Sequence, residues 1–335
     1  MVPSRKKVHK AGRKLVRNNL SESEENAALE VLNQWRLAHS PVLRYVQTRL
    51  NEVTSQIDST AIIAQRLKRT PSIVAKLRKE SQMSLARMQD IGGCRAVLEN
   101  RKDVYKVFDR ITNHSSLSAS FFRSEDYIKR PKDSGYRGIH LIHKVQHPEA
   151  ADDREYQVEI QLRTRAQHAW ATAVEIVGTF RGENLKASEG NEEWLEFFSL
   201  LGKEIHRLEK AKNSIFPRIQ TKNISRLRDL NESLNATKTI KSFVITFNAL
   251  DKKHSKNFDY FILILDLDRN NVKVKMFKRG KLEEAGKNYL ELERQKDLEV
   301  VMVSAESLSE IKEAYPNYFG NTARILNYLQ RILSA

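Results

Sequence analysis

From Glu155 to Arg163 the sequence alternates almost without interruption. Tyr156, Val158, Ile160 and Leu162 take one set of positions; Gln157, Glu159, Gln161 and Arg163 take the other. A β-strand, with its two-residue period, sorts such a run into an apolar face and a polar face. The apolar face needs a core, so the run predicts a sheet covered by helices. The polar face is either solvated or a place where acid, amide and base converge. Arg165, His168 and Trp170 follow at the start of a predicted helix and bring more polar groups to the same sheet end.

Two further strand-like runs, Ile91 to Leu98 and Gly138 to Val145, flank a helix near Val104 to Thr112. Ahead of them, Ser21 and Ser23 cap a helix whose first turn holds Glu24 and Glu25. A second helix follows Ser40-Pro41, and a third short one follows Thr70-Pro71, with Ile73, Val74 and Leu77 on one side and Lys76, Arg78 and Lys79 on the other. Helices return at Ala166 to Val177 and Glu192 to Lys210. The polar stretch 213–238 suits a linker or connecting helix. Beyond it, strands at Ser242 to Phe247, Tyr260 to Leu267, Val272 to Phe277 and Leu298 to Val303 alternate with a helix near Glu283 to Arg294 and two closing helices. Asp268 to Asn271 has the composition of a hairpin turn. The fold class predicted is α+β: a mixed sheet flanked by helices over residues 21–212, followed by a small α+β C-terminal domain over 239–335. At 335 residues a prior of about two domains agrees.

Charge narrows the partners. Fifty-eight Lys and Arg against 42 Asp and Glu leave a net +16, which favours a polyanion. Residues 1–180 hold 31 of the bases and 20 of the acids. Residues 1–20 carry Arg5, Lys6, Lys7, Lys10, Arg13, Lys14 and Arg17 with no acid, and read as a solvated tail or an arm that grips a phosphate backbone. The single cysteine, Cys94, excludes a disulfide framework and a Cys-rich zinc site and reads as a small core residue. The nine His form no metal-binding pattern; His140 and His143 fall on opposite faces of one strand. No apolar stretch reaches the ~20 residues that span a bilayer, and the basic N-terminus lacks a leader's apolar segment. A reducing, cytoplasmic location without membrane contact is expected.

Two other constellations carry chemistry. In Met88 to Arg95, Asp90 stands at the edge of a strand, and Gly92 and Gly93 remove side chains where a ligand or backbone comes close. Alone, Asp90 reads as a cap or salt-bridge partner; with Glu159 from another strand it makes a two-carboxylate site of the kind that holds Mg²⁺ against substrate phosphates. In Tyr127 to His140, Pro131, Ser134 and Gly135 punctuate a loop that Lys129, Arg130, Lys132 and Arg137 make basic and that Tyr127 and Tyr136 interleave with aromatic rings. Such a loop can stack a base while clamping phosphates. No Walker loop or dinucleotide-binding glycine motif is present.

The order of these pieces resembles the RelA/SpoT synthetase domain: Arg66, Lys68, Arg69, Ser72, Lys76 and Arg78 on a helix, then Asp-Ile-Gly-Gly-Cys-Arg, then Tyr-Ile-Lys-Arg-Pro-Lys-x-x-Gly-Tyr-x-x-x-His, then Val-Glu-Ile-Gln-Leu-Arg-Thr with His168 after it. The likeness spans roughly residues 25 to 210. It implies a nucleotidyltransferase-like fold and an enzyme that moves pyrophosphate from ATP to an acceptor ribose 3′-hydroxyl. It further implies that Arg66, Arg69, Ser72, Lys76, Arg78 and Arg95 hold ATP, and that Asp90 binds Mg²⁺. Glu159 would be a second metal contact or would activate the hydroxyl. Tyr136 would stack on the acceptor base, with Lys129, Lys132, His140, Gln161, Arg163 and His168 on the acceptor side. The residues ahead of the domain cannot hold the hydrolase domain of the long bifunctional members.

The segment Ala314 to Phe319, with Tyr315 and Tyr318, reads as an aromatic staple at the start of a helix from Asn321 to Leu333. It also resembles the Tyr-x-x-Tyr element of CapRel-type fused toxin–antitoxin proteins. That likeness implies a C-terminal domain that inhibits its own synthetase and is released by a phage capsid protein, with the 3′ end of tRNA as acceptor. The synthetase motifs alone leave GDP or GTP as the alternative acceptor. Retention of both Asp90 and Glu159 argues against a third reading, an inactive nucleotide- or RNA-binding sensor.

Overall fold

The computed structural model describes residues 2–17, 19–146, 154–210, 222–242, 246–247, 258–266, 271–278, 280–295, 298–304 and 322–334. Helices α1 (Arg5–Leu15), α2 (Glu22–Ala38) and α3 (Ser40–Ser55) come first, then β1 (Ile62–Leu67), α4 (Thr70–Lys79), β2 (Gly92–Leu98), α5 (Arg101–Asn113), β3 (Phe121–Asp126), β4 (Ile139–Val145) and β5 (Tyr156–Thr164). Helices α6 (Arg165–Arg181), α7 (Glu192–Lys210), α8 (Lys222–Ser233) and α9 (Ala236–Ser242) follow. The chain then supplies β6 (Thr246–Phe247), β7 (Phe258–Asp266), β8 (Asn271–Lys278), α10 (Leu282–Glu293), β9 (Leu298–Ser304) and α11 (Ala323–Leu333). Among the described residues no helix is long and apolar enough to cross a membrane.

The strands form one mixed sheet in the order β3-β4-β5-β2-β1-β9-β7-β8-β6. Strand β5 runs parallel to β2, with Gly93 opposite Glu159, and antiparallel to β4, with His140 opposite Gln161. Its alternation does what the sequence predicts. Tyr156, Val158, Ile160 and Leu162 are buried against a core built with Leu32, Leu43, Leu50 and Val107 of α2, α3 and α5. A second core gathers Trp170, Trp194, Phe197, Leu201, Ile224, Leu227 and Leu329 from α6, α7, α8 and α11. The Ser21 capping box forms, its side chain accepting from Glu24 N.

Three predicted elements differ. The basic run at the N-terminus is a helix rather than a tail: Val8, Ala11, Gly12 and Leu15 fall on one face of α1 and are buried, while the cations stay outside. Arg66 lies on strand β1 and not on the Arg/Lys helix, which begins only at Thr70. Ser242, expected to open a strand, ends α9. The hairpin partners β7 and β8 pair antiparallel as predicted, and their turn lies outside the described residues.

The C-terminal segment shares the sheet of the first unit. Strand β9 pairs with β1, Gln65 opposite Ser304 and Arg66 opposite Val303, and so covers an edge that would otherwise present unpaired backbone groups. Helix α10 closes the contact. Arg36 of α2 is fully buried and donates to Tyr289 Oη at 2.8 Å, Glu293 Oε2 at 3.1 Å and Thr70 Oγ1 at 2.8 Å. Glu293 also accepts from the Thr70 backbone N–H at 2.8 Å, capping α4. Removing one partner of a buried ion pair leaves an uncompensated charge, so Glu293→Ala should destabilise the protein by about 3–5 kcal/mol, read as a lower urea midpoint. A midpoint within error of the parent would show that the contact carries no stability.

Candidate active site

The polar face of β5 opens into a cleft of about 350 Å³. Its walls include Arg66 from β1, Lys76 from α4, Asp90, Arg95 from β2, Lys132 from the basic loop, and His140, Glu159 and Gln161 from β4 and β5. Eight of the predicted site residues therefore meet. The two glycines divide their work: a Cβ on Gly92 would press on Leu43 at 3.0–3.1 Å in the core, whereas Gly93 faces the cleft with only the Glu159 carbonyl within 4 Å.

Asp90 is held by two ammonium groups, Lys68 Nζ at 2.9 Å and Lys76 Nζ at 3.2 Å. Burial and the neighbouring Glu159 charge push its carboxyl up, but Lys68 and Lys76 outweigh them and keep it below the usual carboxylate range. Lys68 was legible as a base in the motif; its role on Asp90 comes from the turn after β1.

Glu159 sits in a ring of hydrogen bonds. It pairs with His140 Nδ1 at 2.7 Å and accepts from Gln161 Nε2 at 2.6 Å. His140 Nε2 is hydrogen-bonded to Tyr136 Oη, which accepts from Arg163 Nη2 at 2.9 Å, and Arg163 Nη2 donates on to Gln161 Oε1 at 3.0 Å. The charges follow from this closure. Burial would raise Glu159, yet His140 and Gln161 hold it far below the ordinary range. Burial would lower His140, yet Tyr136 and Glu159 raise it to about 9. Burial would raise Tyr136, yet Arg163 and His140 lower it to about 7.

Tyr136 is buried, with its ring 5.9 Å from Tyr127, 6.3 Å from Trp170 and beneath the Arg163 guanidinium at 5.0 Å. It also lines a second, mostly apolar cavity of about 290 Å³ with Trp170, Val174, Leu185, Leu195 and Phe198. Gly135 shapes this loop: its φ of +89° suits glycine, and a Cβ would meet the Phe198 and Ser199 backbone at 3.0 Å.

The remaining predicted residues spread out. Arg69 is the residue before α4 and does not cap it through its side chain, and its charge reaches Glu175. Ser72 and Arg78 lie on α4 outside the cleft lining, Arg78 exposed, because the helix turns its Lys76 side inward. Lys129 points away, 3.9 Å from Asp126 and over the Tyr105 ring. His168 is buried on α6 outside the lining. Tyr315 and Tyr318 lie outside the described residues. Cys94 is buried, with burial pushing its thiol up, and His143 is buried beside Ser120 on the face opposite His140.

Sequence reasoning missed Arg123, Glu125, Glu175 and Lys186. The first two arrive on β3, a strand with no clear alternation, and the last two come from α6 and the turn after it. No local pattern marks them.

Asp90 and Glu159 face one cleft and sense each other's charge, and two carboxylates beside a cluster of cations are a donor set suited to Mg²⁺, which keeps waters and takes its other oxygens from substrate. Among the described residues no group of three or more His, Cys, Asp or Glu could hold a metal unaided.

Residues 65–177 match the model of the region found in RelA/SpoT proteins. The chain is similar to the GTP pyrophosphokinase YwaC of Bacillus subtilis, 37% identical over 114 residues that cover 32% of this chain and 52% of the relative. It is similar to the GTP pyrophosphokinase YjbM of the same organism, 33% identical over 109 residues covering 32% and 51%. The chain thus spans about half the length of the curated relatives it matches. Among solved structures, small alarmone synthetase 1 from Bacillus subtilis bound to pppGpp aligns with 23% identity over 51% of this chain and 89% of that one, with a TM-score of 0.44. The cleft residues from Arg66 to Gln161 all fall within the stretch that matches this model, and over residues 65–177 the chain is similar to the region found in RelA/SpoT proteins.

Proposed function

We propose that this chain is a pyrophosphokinase that uses ATP as donor. The observation that carries the reading is one cleft that sets the carboxylates Asp90 and Glu159, with Glu125 on its β3 side, among Arg66, Lys68, Lys76 and Arg95. An acceptor 3′-hydroxyl oxygen bonds to the β-phosphorus as its O–H bond breaks and the proton passes to solvent, the bond from that phosphorus to the oxygen bridging to the α-phosphate breaks, and AMP leaves. Such transfer depends on positioning and charge neutralisation more than on covalent help. Bound Mg²⁺, held by Asp90 and Glu159, would neutralise phosphate charge. Arg66, Lys76 and Arg95 would bind the triphosphate, with Arg69 behind them. Glu159, held strongly ionised by His140, is a poor proton acceptor, which favours the ligand role over hydroxyl activation. Tyr136, His140, Lys132, Gln161 and Arg163 would place the acceptor.

We infer the 3′ end of tRNA as acceptor. The support is α1: its apolar face is consumed by the core and its outer face offers Lys6, Lys10 and Arg13, a ridge suited to a phosphodiester backbone, with Arg17 just beyond the helix. GDP or GTP is the second reading, favoured by the names of the curated relatives. Incubating the protein with γ-labelled ATP, uncharged tRNA, GDP and GTP separates them: label on tRNA supports the first, and label confined to guanine nucleotides overturns it. A phage capsid protein as trigger and self-inhibition through Tyr315 and Tyr318 complete the proposal. The contacts of β9 and α10 with β1, Arg36 and Thr70 give the C-terminal segment direct purchase on the strand and helix that carry Arg66 and Lys76. Changing both tyrosines to Ala should arrest growth of the expressing cell without a trigger; undisturbed growth with the protein present would count against self-inhibition.

A further inference from the structure

Lys186 stands in the turn Leu185–Ala187 that follows α6. The turn is fixed from several sides. Leu185 is buried, the Glu183 N–H bonds back to the Gly178 carbonyl, and Glu189 accepts from Lys79 of α4 at 2.8 Å. The turn is thereby tied to the helix whose Lys76 reaches Asp90, and Lys186 lines both the cleft and the apolar cavity beside Tyr136.

Its carboxylate partner is Glu175 of α6, at 3.7 Å, a long contact with the lysine side chain about half exposed. Pairs of this kind are worth little, so exchanging the partner is cheap. Glu175 is itself surrounded by positive charge from Lys186, Arg66, Arg69 and Arg95. Lys186 in turn feels Arg66, Arg163 and Arg95.

We propose that Lys186 is a phosphate-positioning residue of the donor site, parked on Glu175 when the cleft is empty and transferred to a β- or γ-phosphate oxygen when ATP binds. The inference rests on the donor reading above. A lysine fits the task because its compact charge rides on a flexible stem that can swing between two anions. Glu175 favours its charged form, but the partial burial of the lysine stem and the three guanidinium groups outweigh it and bring the lysine down to about 8. An incoming phosphate relieves that crowding. Glu175 then has a defined part: it neutralises the cluster when no triphosphate is present and competes with one that arrives.

Calorimetric titration of the full chain with α,β-methylene ATP and with AMP, in the absence of acceptor, tests this. Lys186→Met should weaken the triphosphate about tenfold or more and leave AMP unchanged, and Lys186→Arg should recover most of the loss. Glu175→Gln should tighten the triphosphate, because the unliganded cluster loses its counter-anion, and should lower the melting temperature only until the triphosphate is added. Equal losses for AMP and triphosphate in Lys186→Met, unchanged triphosphate binding, or weaker binding in Glu175→Gln would each overturn the assignment while leaving the donor reading intact. A parent protein that binds no triphosphate would overturn both.

Discussion

Asp90→Asn should lower pyrophosphate transfer roughly 10²–10³-fold, the range for deleting one preorganised electrostatic group from an active site. The exchange keeps the shape and removes one negative charge, so what changes is the field rather than the packing. In the parent, Lys68 and Lys76 converge on that charge at 2.9 and 3.2 Å, and the carboxylate stays ionised against burial. Without it, two ammonium groups lose their anchor, and the Asp90–Glu159 pair proposed to hold a divalent ion loses one member. Stability should respond with a defined sign. Because the folded carboxyl is held below its ordinary value, it contributes stability at pH above the usual carboxylate range and loses it as the pH falls through the folded value. The variant should therefore be less stable than the parent at neutral pH, with the gap closing in acid. Denaturation midpoints at pH 7 and pH 3 measure it; a gap that widens in acid would contradict the ion-pair account.

Two substitutions at Tyr136 should separate its two jobs. Tyr136→Ala removes the ring that lines the apolar cavity beside His140 and Arg163. If the ring stacks on the acceptor base, about 1–3 kcal/mol is lost, a five- to 150-fold rise in acceptor KM. Tyr136→Phe keeps the ring and removes the hydroxyl that links His140 to Arg163. Each of those groups then loses one partner, His140 keeping Glu159 and Arg163 keeping Gln161, at a cost of about 1–3 kcal/mol in stability. His140 also loses the neighbour that raises it most, so the alkaline limb of the rate profile, near pH 9 in the parent, should move to lower pH. Acceptor KM and the pH profile of kcat distinguish the outcomes. A Phe variant that matches Ala in KM would show that the ring does not stack.

Much of this site was legible because the strands carry it. The alternation of Tyr156 to Arg163 put Glu159 and Gln161 on one face before any fold was known, and β2 and β5 then paired in parallel register. What stayed hidden depends on distance in the chain. β1 is six residues, Ile-Ile-Ala-Gln-Arg-Leu, without clean alternation, so Arg66 was read into the following helix. The helix at Arg5–Leu15 was masked by its own charge, since Val8, Ala11 and Leu15 are few among the cations. The run Val300 to Val303 marked a strand but could not say that its neighbour would be β1, more than 230 residues earlier in the sequence. Glu175 and Lys186 reach the charge cluster of Arg66 and Arg95 from α6, which packs against β2 and β5, and from the turn after it, far along the chain from the strands that carry the arginines.

The bond that breaks decides the central claim. ATP labelled in parallel at the α- and the γ-phosphate would be incubated with the protein and its acceptor, and the products resolved. Transfer of pyrophosphate predicts γ label on the acceptor and α label only in AMP, with both signals lost in Asp90→Asn. Label from the α-phosphate on the acceptor, or its recovery as ADP, would mean that a different phosphorus is attacked and would contradict the account.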